Sequence, residues 1–137
     1  MRLTRIGGIA GLATMLALAC TATQAQECCD QESPFRPGEG WAETPATCET
    51  IGHWAQNAPQ TNVRISLAID GKLSEVHWDG ALAYLIMCEP EQVQVMCVTY
   101  DTNGLEPGET VSFGGGYSQI GPTHIVLDPC LASRSPG

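Results

Sequence analysis

The chain has 137 residues, 43% hydrophobic but only 6% aromatic, and its 6 basic residues face 15 acidic ones for a formal net charge of −9 at pH 7. Such a length builds one domain around one core. Phosphate backbones and anionic membrane surfaces are held by clustered Lys and Arg; a few scattered cations cannot form that footprint, so nucleic acid is disfavoured as a partner.

At the N-terminus, Arg2 and Arg5 precede an uncharged apolar stretch from Ile6 to Ala19. That stretch is shorter than the ~20 residues that span a bilayer. Small residues in Thr23-Gln24-Ala25 place cleavage after Ala25, so residues 1–25 read as a signal peptide. The destination expected is the periplasm or the exterior. No adjacent arginine pair marks a twin-arginine route. Lipid anchoring at Cys20 is the minor alternative, because Ala17 and Leu18 stand where a lipobox carries Leu and a small residue. Removing 25 of the 137 residues leaves 112, with Arg36, Arg64, Lys72 and Arg134 against all 15 carboxylates. No integral membrane segment remains after cleavage. Six cysteines remain as well: Cys28, Cys29, Cys48, Cys88, Cys97 and Cys130. In a small exported chain this even number predicts up to three disulfides, which offset a core poor in aromatics.

Residues 26–43 are rich in Glu, Pro and Gly and show neither helical nor strand period, which predicts an extended, partly mobile N-terminal arm. Trp41, a large aromatic in this polar arm, would gain by docking on the domain. The domain proper is expected over 44–132. It starts with a short helix, Thr44 to Ala58, capped by Thr44 with Pro45 at its first position, or by Thr47 in a shorter version. Ile51, Trp54, Ala55 and Ala58 form its apolar stripe, and Pro59 ends it.

Strands follow. Val63, Ile65, Leu67 and Ile69 alternate with polar or small residues; after Gly71, Leu73, Val76 and Trp78 continue in a shifted phase. One long strand, bent at a bulge or glycine kink, accounts for both halves. Asp79-Gly80 is a hairpin signal. The second strand, Ala81 to Cys88, is apolar on both faces, and a turn at Glu89-Pro90-Glu91-Gln92 leads to the third, Val93 to Tyr100. The fourth runs from Thr110 to about Tyr117 and contains Gly114-Gly115-Gly116, read as a sharp bend. The fifth is His124 to Leu127, closed by Asp128-Pro129-Cys130, and residues 133–137 are expected to form a disordered tail.

A long bent first strand with a mid-strand glycine (Ile69-Asp70-Gly71-Lys72-Leu73), a tight second-to-third hairpin and the stretch Leu105 to Gly116 resemble the OB-fold, a five-stranded Greek-key barrel, over Val63 to Leu127. The fold class expected is therefore all-β: a small five-stranded OB-like barrel preceded by one short helix and stapled by disulfides. The helix that many OB-folds insert between strands three and four is replaced here by Asp101 to Gly108, so the leading helix is placed to cover that end instead. The resemblance implies a ligand face on strands two and three, where Tyr84 and Tyr100 are the candidate contacts. Neither strand carries a basic residue, which opposes an oligonucleotide ligand.

The residues make no case for catalysis. No Cys-x-x-Cys, Gly-x-Ser-x-Gly or phosphate loop occurs, and His53, His77 and His124 lack companions at metal-ligand spacing. No cofactor is expected. The vicinal Cys28-Cys29 reads as the start of two structural disulfides rather than a redox or metal site. Within the second hairpin, a Cys88–Cys97 bridge is predicted across the turn, leaving Cys48 to join Cys130. Composition and fold together suggest an exported binding or accessory module of the cell envelope, engaging a cationic protein or a neutral glycan. A small metal-binding or enzymatic periplasmic protein is the alternative, with an oligonucleotide binder behind it.

Overall fold

The structure, a computed structural model, describes residues 29–136 together with Gly11 and residues 13–17. Cys20, Cys28 and the cleavage point at Ala25 lie outside the described residues. In chain order the elements are β1 (Phe35–Pro37), β2 (Ala46–Thr47), α1 (Ile51–Gln56), β3 (Ile65–Trp78), β4 (Ala83–Met87), β5 (Gln94–Thr99), β6 (Thr110–Gly121) and β7 (His124–Arg134).

The long strand β3 is the spine. Along one edge it pairs in succession with β1 (Phe35 opposite Leu67), β2 (Ala46 opposite Ile69) and β4 (Val76 opposite Leu85). Along the other it pairs with β6, from Ser66 opposite Gly116 to Lys72 opposite Thr110. The sheet then runs β3–β4–β5–β7–β6 and returns to β3, with β5 and β7 parallel and every other neighbouring pair in this ring antiparallel. This is a closed five-stranded barrel whose strand order is compatible with an OB-like fold. Closure leaves no barrel edge open for pairing with another chain.

Period-two alternation fills the interior. Leu67, Ile69, Leu73, Leu85, Met87, Val95, Cys97, Val111, Phe113, Ile125 and Leu127 are all at most 1% exposed. Ser66 and Ala68, which alternation would turn to solvent, are buried too, because the N-terminal segment crosses over them and Ser66 Oγ donates to Gly38 O. That segment, expected as an extended and partly mobile arm, lies along the barrel. β1 belongs to the sheet, Phe35 is 1% exposed and meets the Tyr117 ring edge-on at 5.0 Å. Arg36 holds the preceding turn by donating to the carbonyls of Asp30, Gln31, Ser33 and Phe35.

The helix is shorter than the spacing suggested. Ala46 and Thr47 are drawn into β2 and Cys48 is fixed by a disulfide, so α1 starts only after Thr50. Neither Thr44 nor Thr47 caps it; Thr47 and Thr50 bond one another instead. Ile51 and Ala55 are its buried side chains, with Trp54 and Ala58 half-buried beside them. The break in β3 falls at Ser74, between Leu73 and Glu75, rather than at Gly71. Gly71 stays in register opposite Val111, and the position requires glycine because a Cβ there would stand 2.6 Å from Cys48 Sγ. In place of the inserted helix, the β5–β6 connection carries Leu105 into the core at 3% exposure.

Strands β6 and β7 outrun their predicted ends. β7 passes through Pro129, whose missing N–H is absorbed where the ladder to β6 shifts between Gly115 and Tyr117. It then continues to Arg134, opposite Val111, and Ser135 N donates to Thr110 O. Residues 133–135 are thus bonded to the barrel rather than forming a loose tail.

The disulfides join Cys48 to Cys88 and Cys97 to Cys130, with Cα–Cα distances of 5.5 and 5.4 Å. Both expected pairings are therefore corrected. The hairpin register sets Leu85 opposite Cys97 and Met87 opposite Val95. Cys88 sits past the end of β4 at φ 79°, with Gln94 donating to its carbonyl. A bridge from Cys88 straight across to Cys97 would need the register shifted by three residues, with the turn centre moved from Glu91 to between Gln92 and Val93. Cys29 is disulfide-bonded as well.

Candidate functional site

Two surfaces of the barrel carry features that its interior does not require. The first is the outer face of β4, β5 and β7. Ile86 lies opposite both Glu75 and Met96, Met96 lies opposite Val126, and Val126 lies opposite Ser118, which makes one continuous cross-strand row. A second row runs His77, Tyr84, Val98. Ile86, Met96, Val98, Val126 and Tyr84 are half-buried although they point away from the core. Beside them Ile120 is 65% exposed, and it closes a dimple of about 130 Å³ over Ile86, Met96 and Val126.

Carboxylates frame this apolar centre. Glu75 stands at one end of the first row, its Oε2 3.0 Å from His77 Nε2. Asp79 closes the β3–β4 turn by accepting from the N–H groups of Ala81 and Leu82, both at 2.8 Å, and from Tyr84 Oη at 3.0 Å. Those bonds, led by Leu82, hold the Asp79 carboxyl below the usual range, and the same Asp79 raises the Tyr84 phenol. Tyr84 is therefore committed to the turn. Tyr100, 78% exposed just past β5, is on the same face but two positions further along the strand. The two tyrosines predicted as ligand contacts share a face without forming one site.

The second surface is a groove of about 260 Å³ where the N-terminal segment crosses β6 and β7. Trp41 and Tyr100 line it, with Leu131 at its edge, and Gly114, Gly115 and Gly116 form its floor. Trp41 is 47% exposed, with its ring laid directly on Gly114; a Cβ at Gly114 would stand 2.0 Å from Trp41 Cζ3. At Gly116 a Cβ would meet the Arg64 guanidinium at 2.7 Å, and Arg64 Nη2 donates to Asp128 O at 3.0 Å. At Gly115 it would meet Pro129 O at 2.3 Å. None of the three glycines has a positive φ; the run allows close approach of Trp41, Arg64 and the Pro129 carbonyl, and the ladder to β7 shifts within it, between Gly115 and Tyr117.

A third depression, shallow and acidic, opens beside the Cys48–Cys88 bridge between Glu49, Asp70, Lys72, Glu89 and Glu91. Asp70 Oδ1 is buried there without a hydrogen-bond partner among the described residues. His53, His77 and His124 are all exposed and lie on α1, β3 and β7. Among the described residues, no group of three or more His, Cys, Asp or Glu is gathered where it could hold a metal ion, and no helix is long and apolar enough to cross a membrane.

Two signals in the sequence point at these surfaces. A strand apolar on both faces, as Ala81 to Cys88 is, must place one of those faces outside a small barrel. Consecutive glycines inside a strand leave bare backbone on which an aromatic from elsewhere can lie, and Trp41 is that aromatic. Compared with known proteins, the chain matches no family model and no curated protein.

Proposed function

We propose that the protein is an exported, non-enzymatic binding module of the OB-fold type, an accessory component of the cell envelope that docks a basic protein segment on the outer face of β4, β5 and β7. The observation that carries this reading is the row Ile86–Met96–Val126, apolar and half-exposed, with Tyr84 and Val98 beside it and Glu75 and Asp79 at its margin. An apolar centre inside a polar rim is the anatomy of a protein interface, and on the β3 side the two carboxylates, Glu75 and Asp79, make that rim acidic. A net charge of −9 adds a field that steers a basic partner and repels nucleic acid. Disulfides fit an oxidising compartment, and the composition of residues 1–25 fits export to the periplasm or beyond.

The test is cross-linked capture from the envelope of the protein's own host, run in parallel with wild type and Met96→Glu. A basic partner is expected with wild type, lost from Met96→Glu and weakened by added salt as the Debye length shrinks. The same partner captured equally by both, or unmoved by salt, would sink the assignment.

A further inference from the structure

The groove under Trp41 is a different kind of surface from the docking face. Its charged lining is one carboxylate, Glu39, and one guanidinium, Arg64. In a chain of net charge −9 this is a locally neutral spot, and neither sign of ligand charge is favoured there. An anion meets the field of the whole molecule, and a cation meets Arg64. What the groove offers instead is flat apolar surface ringed by hydrogen-bonding groups. Trp41, resting on the bare backbone of Gly114 and half exposed, lines the groove together with Tyr100, which stands mostly in solvent. Arg64 uses Nη2 on Asp128 O and retains further N–H donors in its guanidinium fork. Glu39 supplies an acceptor, and Tyr100 and Thr99 supply hydroxyls.

We propose that this groove binds a neutral sugar ring, the pyranose unit of an uncharged glycan, stacked on Trp41 and bracketed by Tyr100. A pyranose presents an apolar C–H face with hydroxyls around its edge, which is the complement of an aromatic plane with a mixed donor and acceptor rim. The volume of about 260 Å³ falls below the ~300–1,000 Å³ of drug-sized pockets, which suits one ring with the remainder of a chain passing out over Leu131. The triple glycine is what makes the site: a side chain at Gly114 or Gly116 would occupy the places of the Trp41 ring and the Arg64 guanidinium. This inference does not depend on the docking face, and a failure of one leaves the other standing.

Titration calorimetry on the full protein with its disulfides intact tests it, using soluble neutral gluco-, chito- and manno-oligosaccharides beside an anionic uronate oligomer. At least one neutral series is expected to bind with a Kd of about 1 mM or tighter. That binding should survive ~0.5 M salt, where docking of a basic segment is screened. Trp41→Ala should weaken it by about tenfold or more, and Tyr100→Ala should do so by about threefold or more, in the range of stacked aromatic contacts. Tyr100→Ala is the safeguard against misfolding, because Tyr100 is 78% exposed. No neutral series binding at that strength, preference for the uronate, or affinity unchanged by both substitutions overturns the assignment.

Discussion

Replacing Gly114 with alanine asks whether the Trp41 ring or the strand itself requires a glycine. The new Cβ would stand 2.0 Å from Cζ3 and 2.3 Å from Cε3 of Trp41, so the ring must lift away. Trp41 is 47% exposed; about half of an aromatic side chain's ~150–250 Å² is therefore covered, worth about 2–3 kcal/mol at ~25 cal/mol/Å². Gly114→Ala should lose that much in the wild type less the gain of alanine over glycine in a strand, about 1–2.5 kcal/mol net. In a Trp41→Ala background the added methyl meets no ring, and alanine in a strand is better than glycine by about 0.5–1 kcal/mol. The double-mutant cycle, read from urea unfolding with matched m-values, should show a coupling of about 2–3 kcal/mol. Gly115→Ala is the control, since its Cβ would strike Pro129 O at 2.3 Å, a backbone atom that Trp41 does not influence. A Gly114→Ala cost that is the same in both backgrounds, or a coupling below about 0.5 kcal/mol, refutes the seating of Trp41 on the glycine.

The Cys48–Cys88 and Cys97–Cys130 disulfides close loops that do not overlap, with sequence separations of 40 and 33. Loop-closure entropy gives about 4 kcal/mol for each, and paired Cys→Ala replacements are expected to add when combined; a strongly sub-additive quadruple variant would show that the reduced chain keeps one loop closed. Asp79, held below the usual carboxylate range by N–H donors led by Leu82, contributes stability that is present at neutral pH. That contribution is lost as pH falls through the native Asp79 midpoint. Wild type should therefore be more stable than Asp79→Asn at neutral pH, and the two unfolding curves should converge in acid; a constant offset across pH would refute the linkage.

Much of the barrel is legible in the chain because each strand obeys a local rule. The alternation from Val63 to Ile69, the phase shift before Val76 and the turn at Asp79-Gly80 yield β3 and the first hairpin from their own residues. The pairing of cysteines was not legible, because it depends on register. A displacement of the second hairpin by a few residues moves Cys88 off the strand and into reach of Cys48, and nothing in the turn residues Glu89-Pro90-Glu91-Gln92 alone fixes which of them carry the turn. Strand ends failed for a related reason. Asp128-Pro129 reads as a terminator, yet the bulge opposite Gly116 accommodates it, and Arg134 is held by partners 25 and 30 residues earlier in sequence, Glu109 and Gly104. At the candidate sites, the tyrosines were found by type, but Tyr84 is occupied by Asp79. The residue that joins Tyr100 comes from Trp41, far away in sequence.

The scarcity of cations takes on a different meaning once their partners are known. Arg36 is fixed to four backbone carbonyls of its own turn, Arg64 to Asp128 O, and Arg134 to Glu109 and Gly104 O. Three of the four basic residues that follow Ala25 thus fasten the segments added around the barrel, namely the N-terminal turn, the β7 bulge and the C-terminal end of β7. Fixed arginines neutralise little beyond their immediate surroundings, so the remaining carboxylates set the field over the rest of the surface. Beside Arg64 a cation offsets that field locally, and Gly116, whose missing side chain makes room for the guanidinium, lets it sit there. The glycine run thereby does two things at once: it seats an aromatic plane and, two residues on, the cation that keeps the groove neutral. On the proposed reading, the protein holds an uncharged ligand at one place while a basic partner is met on the outer face of β4, β5 and β7.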